Sequence, residues 1–357
     1  MKNSGIRKAR LVYIFIFTII ALMFWLPSHT PAVNTVRPVT QFRHGLLGTI
    51  VTVSIHEEAD ASIFDEIFSA IEDIDAEMSA DNPGSQVSMI NAAAGIDSVK
   101  VSDAVYDVIA LAMQISEDSG GAFDLSVGPL VSLWNIGSSN GRVPADAEIL
   151  EAKSFVGYKN VLLDSERKSV YLKKEGMRID LGGIAKGYAG DVAAGILERR
   201  GIKSAILDLG GDIVALGSRL NGGYWRIGVK TPVRGDGSNV GVLRVRDKAV
   251  ATSGGYERYL EKGGIFYHHI LDPYTGRPAS AGLLSVTVIS SSSTVADMLS
   301  TAAFVLGYER GRVLVERYGA DAIFITDEKT IHLTDGIKDS FALTNSDFSM
   351  ARGGGPH

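Results

Sequence analysis

The densest run of chemically useful residues is Asp180-Leu181-Gly182-Gly183-Ile184-Ala185-Lys186-Gly187-Tyr188. A strand over 170–172, resuming near Ile179, leads into glycines that open a helix. Bare backbone N–H groups at a helix start attract phosphate, and glycine lets a ligand approach the main chain closely. Lys186 can then neutralise phosphate charge as a mobile ammonium. The run is neither a Walker loop nor a G-x-G-x-x-G fingerprint, and Gly-Gly before a helix also serves as ordinary turn chemistry.

Three further groupings offer chemistry. Asp297, Ser300 and Thr301 share one face of a helix. A carboxylate with hydroxyls and no Cys or His suits a hard cation such as Mg²⁺; the same residues also fit an N-terminal Asp favoured by the helix dipole plus two satisfied hydroxyls. His268 and His269 end a strand before the turn Asp272-Pro273-Tyr274-Thr275-Gly276. Alternation sends their side chains to opposite faces, so one can be structural and the other a general base near neutral pH. No other His, Cys or Glu stands at zinc-site spacing around them. Finally, Phe123 could line a planar ring and Asp124 accept its N–H groups, although an aromatic beside an Asp in a loop also serves packing and turns.

The elements that must position these residues begin near Phe42. Residues 50–55 read as a strand, and Ile63, Ile67, Ile71, Ile74 and Met78 recur at helical spacing over 61–78. Residues 105–117 and 186–199 are further helices. Strand signals follow at 204–207, 224–230, 240–245, 266–271 and 284–289, separated by Gly-rich turns. Helices over 294–306 and near 310–318 precede closing strands at 322–326 and 341–343. Strands joined by short turns more often than by helices favour an α+β fold with largely antiparallel sheets, in one continuous domain.

A chain of 357 residues with 45% apolar content can bury a large core, and its net charge of −6 gives no reason to expect nucleic-acid binding. There are no cysteines, which excludes disulfides, thiol chemistry and a lipid-modified N-terminal Cys. Lys2, Arg7, Lys8 and Arg10 precede an apolar run over 11–26. A basic start followed by such a run is an export signal or membrane anchor, and the positive-inside bias puts the remainder outside the cytoplasm. The expected division is a signal or anchor with linker over 1–38, a folded domain over 39–345 and a disordered tail over 346–357.

From about His44 to Gly307 the chain resembles the ApbE family, the FAD:protein FMN transferases. The matching stretches, in family order, are Gly48-Thr49, Met78-Ser79 with Pro83, Ser85, Ser88 and Asn91, and Phe123-Asp124 through Gly128-Pro129-Leu130 to Trp134. Asp180 to Tyr188, Leu209-Gly210-Gly211-Asp212, Thr252-Ser253-Gly254, His269 to Gly276, and Asp297 with Thr301 complete the set. The resemblance implies a two-lobed α+β domain that binds FAD between its lobes. With Mg²⁺ it would attach FMN through a phosphoester to a Thr or Ser of partner flavoproteins. Asp180, Lys186, Ala122, Phe123, Asp124 and Ile270 or Leu271 match FAD-contacting positions. Gly183 matches a position offering the metal its carbonyl, Asp297 and Thr301 match metal ligands, and Ser300 stands where some members place another. His269 matches the candidate base, with Lys186 stabilising the phosphates.

The chain departs from the family pattern twice. Leu47 replaces the usual Met, a mild apolar change. Asp81 stands where most members carry an aromatic covering the flavin ring, and a carboxylate cannot stack there. Two rival expectations follow: an Mg²⁺-dependent FAD pyrophosphatase giving FMN and AMP, and a non-catalytic FAD-binding protein. The partners implied are acceptor subunits of membrane respiratory electron-transfer proteins, FAD, the inner membrane if the N-terminal segment is retained, and no nucleic acid.

Overall fold

The computed structural model describes residues 37–351 of the 357. The expected signal or anchor lies outside the described residues but for its last two positions. Among the described residues no helix is long and apolar enough to cross a membrane.

Among the described residues nine strands form the main sheet: Val39–Leu46, Thr49–Ile55, Ser204–Leu209, Asp212–Gly217, Lys248–Gly254, Leu283–Ser290, Asp321–Thr326, Thr330–Leu333 and Ser349–Met350. Their order across the sheet is their order along the chain. Neighbours run antiparallel except the last pair, which is parallel. The fold is α+β and mostly antiparallel, as expected.

The period-two rule divides the interior between the sheet's two faces. In Asp321–Thr326, Ala322 and Phe324 enter the larger core, whereas Ile323 and Ile325 enter a second cluster. Ala249 and Ala251 divide from Val250 in the same way, and Val286 and Val288 from Ile289. Both faces of these central strands are covered, so each reads as an apolar run. Helices Ser62–Met78, Ala185–Arg199 and Ser293–Arg317 cover the first face. Ile63, Ile67, Ile71, Ile74 and Met78 are all buried there, each stabilising the fold by roughly 1.5–3 kcal/mol. A three-stranded sheet of Phe341–Leu343, Asn239–Val245 and Trp225–Lys230 supplies much of the second cluster. A third, smaller cluster joins Leu130, Trp134, Ile149 and Leu271.

Several local expectations require correction. No strand resumes at Ile179. Its N–H and carbonyl are satisfied by the Asn91 side chain, at 2.7 and 3.0 Å, and not by a ladder. The strand expected over 266–271 is split into Ile265–His268 and Leu271–Asp272, because His269 and Ile270 carry the chain from one hairpin into another. The Phe123–Asp124 loop is followed by a short helix, Gly128–Trp134, with Pro129 in its first turn. The tail expected from residue 346 is ordered through 351: Phe348 is buried in the second cluster and Ser349–Met350 pairs with Thr330–Ile331. Residues 352–357 lie outside the described set.

Candidate active site

Helices Ala185–Arg199 and Ser293–Arg317 cross at a point where Gly187 has no Cβ. A Cβ there would stand 2.5 Å from the Ser293 carbonyl oxygen and 2.8 Å from Asp297 Cβ. Asp191, one turn along the first helix, fixes the start of the second. It accepts hydrogen bonds from the Ser293 and Thr294 amides at 2.6 and 3.0 Å, and from the Ser292 and Thr294 hydroxyls at 2.7 and 2.6 Å. The crossing brings Lys186 Nζ within 3.1 and 3.2 Å of the two Asp297 carboxylate oxygens. The Gly187 amide donates to Asp297 Oδ2 at 3.0 Å.

A third element completes the cluster. The strand Asp212–Gly217 presents Asp212 Oδ2 to Lys186 Nζ at 2.6 Å. Asp212 and Asp297 are each 4% exposed. Burial pushes the Asp212 carboxyl's pKa up, Asp297's charge adds to this, and Lys186 opposes it. Burial pulls the Lys186 ammonium down, but the two carboxylates outweigh burial and keep it charged. Lys186 is thereby held between two buried carboxylates.

Beyond Asp297 on its helix, Ser300 Oγ lies 2.8 Å from the Asp297 carbonyl oxygen and 2.8 Å from Ser253 Oγ. Thr301 Oγ1 stands 3.2 Å from the same Ser253 hydroxyl. Gly183 lies against Thr301 and Phe123: a Cβ built on it would be 3.7 Å from Thr301 Oγ1 and 3.6 Å from Phe123 Cε2. Among the described residues no three carboxylates or imidazoles converge as a metal cage. The donors near the crossing are oxygens of one carboxylate, the Ser300 and Thr301 hydroxyls and a backbone loop. This hard-oxygen donor set fits Mg²⁺, which needs few protein ligands.

The two histidines take different partners. His268 is structural: Nε2 pairs with the Ala279 carbonyl oxygen at 3.0 Å, and the ring meets Phe304 edge-on at 5.4 Å. His269 Nδ1 lies 3.2 Å from the Arg258 carbonyl oxygen. A carbonyl only accepts, so this contact assigns the proton to Nδ1 and leaves Nε2 as the basic nitrogen. Burial disfavours the imidazolium and, despite the Arg258 carbonyl, pushes the pKa down to about 4.

Asp180 Oδ1 accepts the Gly182 amide at 2.7 Å. Its pKa is raised, first by burial and then by the negative charge of exposed Asp81, against the Gly182 hydrogen bond. Asp124 is engaged locally: Oδ1 accepts from Ser126 N and Oγ at 2.8 and 2.6 Å, and Oδ2 from Tyr158 N at 2.9 Å. Ala122, Ile270 and Leu271 are buried, the last two in separate clusters. Leu47 sits at φ 52° in the turn between the first two strands.

The sequence model of the ApbE family matches residues 47–324. The chain belongs to the ApbE family. It is 35% identical over 329 residues to a FAD:protein FMN transferase of Treponema pallidum, covering 86% of this chain and 90% of the relative. It is 37% identical over 308 residues to one of Klebsiella pneumoniae, covering 85% and 95%. The crystal structure of the ApbE protein of Thermotoga maritima superposes with a TM-score of 0.78 at 37% identity, covering 85% of this chain and 99% of that one. The apo flavinyl transferase ApbE of Pseudomonas stutzeri superposes with a TM-score of 0.75 at 31% identity, covering 85% and 97%.

Three residues of this ApbE site were not singled out by sequence reasoning. Asp212 and Ser253 lay inside matched motifs, yet each reads there as a turn residue, since its partners Lys186 and Ser300 are distant in sequence. Asp191 carries no sequence signal beyond its place on a helix. Its role depends on a helix about a hundred residues later.

Proposed function

We propose that this protein transfers FMN from FAD to a Thr or Ser hydroxyl of a partner flavoprotein, releasing AMP. The carrying observation is Lys186 held between Asp212 and Asp297, with Thr301 facing the Gly183 loop, in a chain that matches the family over 47–324.

The residues divide the work as follows. The backbone of the glycine loop and the Lys186 ammonium bind and orient the diphosphate. Asp297, Thr301 and the Gly183 carbonyl, with Ser300 beside them, would hold Mg²⁺, whose bound charge polarises phosphate oxygens. Phe123 borders the loop and can line the flavin. His269 Nε2 takes the proton of the incoming hydroxyl. The hydroxyl oxygen bonds to the phosphorus of the FMN half, the bridging P–O bond of the diphosphate breaks, and AMP leaves.

Asp81 favours a second reading. It supplies a carboxylate near Asp180 instead of a ring over the flavin, so water as the attacking group would make the protein an FAD pyrophosphatase. Purified protein incubated with FAD and Mg²⁺, with and without an unflavinylated acceptor domain, separates the readings. Transfer gives acceptor-bound flavin. Hydrolysis gives AMP without acceptor labelling, and tight FAD with no AMP indicates a binding protein.

The basic start and apolar run over 11–26 support placing the domain on the periplasmic side of a bacterial inner membrane. Fractionation of cells expressing the full chain tests this; recovery in the cytosol would contradict it.

A further inference from the structure

We infer that the hairpin of Tyr259–Lys262 and Ile265–His268 is the surface on which the acceptor protein docks. The inference rests on the transferase reading, and its first support is where the hairpin is rooted. Arg258 precedes the first strand and His269 follows the second. The His269 amide donates to the Arg258 carbonyl at 3.1 Å, and His269 Nδ1 meets the same oxygen at 3.2 Å. The hairpin therefore leaves and returns at the base itself. Its four paired positions extend about 13 Å at roughly 3.3 Å per residue. A protein that brings a hydroxyl within hydrogen-bond reach of His269 must lie against structure that close.

The chemistry of the hairpin is the second support. Among the described residues it pairs with no other strand, forming a two-stranded sheet of its own, and such a pair has little stability alone in water. Tyr259, Ile265 and Phe266 are 40, 57 and 39% exposed. Arg234 lies over both rings, its guanidinium carbon 3.3 Å from the Phe266 centroid and 4.6 Å from that of Tyr259. An ordered aromatic pair carrying an arginine is the composition that anchors protein interfaces. The occupant it fits is a protein segment with apolar side chains flanking the acceptor hydroxyl and a carbonyl or carboxylate for Arg234.

The test compares wild type, Tyr259→Ala/Phe266→Ala and Ile265→Asp. The rate of flavin attachment is followed against concentration of an unflavinylated domain that naturally carries FMN on threonine, at saturating FAD and Mg²⁺. The KM for that domain should rise roughly tenfold or more in the variants. The KM for FAD and acceptor-free AMP release should stay within about twofold, which also shows that the variants are folded. An unchanged acceptor KM in both variants overturns the inference. So does a hairpin that covers a second copy: the wild type would then be dimeric, the variants monomeric and the acceptor KM unchanged. If wild type itself leaves the acceptor unlabelled, the transferase reading falls, and the inference with it.

Discussion

His269 is the residue whose state most directly shapes the pH response. Burial lowers its pKa to about 4, so the imidazole is neutral and able to accept a proton throughout the neutral range. The acid limb of kcat/KM, which reports the free enzyme, should therefore fall near pH 4 and not near the ordinary histidine value of about 6.5. The same shift bears on stability. The unfolded chain takes up this proton near pH 6.5 and the folded one only near 4, so His269's contribution is complete above about 6.5 and is lost as pH falls towards 4. A His269→Asn variant should lose roughly 10²–10⁴-fold in transfer while still binding FAD; near-normal turnover would remove it as the base. Asp297→Ala should abolish the Mg²⁺ dependence of turnover and of FAD binding, and calorimetric titration of Mg²⁺ checks this without any reaction. Full Mg²⁺-dependent turnover in that variant would reject the metal assignment.

At the scale of elements, the crossing of two helices makes the cluster. Gly187 is required by close approach, since an added Cβ would meet Ser293 and Asp297 at under 3 Å. Gly187→Ala should push the helices apart, at a cost of about 1–3 kcal/mol. Lys186 should then lose Asp297, so FAD affinity falls together with the urea midpoint. The glycine loop, the hydroxyl-bearing face at Asp297, and the two histidines were legible because each is local in sequence. The Lys186–Asp212 pair was not, because strand Asp212–Gly217 reaches Lys186 only once the sheet has formed. The Asn91–Ile179 bonds were hidden for a related reason: a side chain 88 positions away replaces a ladder, which imitates the end of a strand.

For the whole molecule, the sheet is a meander whose inter-strand connections have grown into the site. Lys186 comes from the long insertion between Thr49–Ile55 and Ser204–Leu209, His269 from that between Lys248–Gly254 and Leu283–Ser290, and Asp297 from the helix that follows. Strand signals joined by short turns disclosed the α+β class. It did not disclose the last strand, since Ser349–Met350 is only two residues long and is held by Phe348. Phe348→Ala should cost about 3–5 kcal/mol in urea unfolding, although the residue lies near the C-terminus; no measurable loss would mean that the last strand is dispensable. The central claim is transfer to a hydroxyl, and intact-mass analysis of the acceptor tests it most directly. With FAD and Mg²⁺ the acceptor should gain one FMN phosphoester per AMP released, and an acceptor whose target threonine is changed to valine should gain none. AMP release with no mass added to either acceptor would contradict the claim and leave hydrolysis as the reaction.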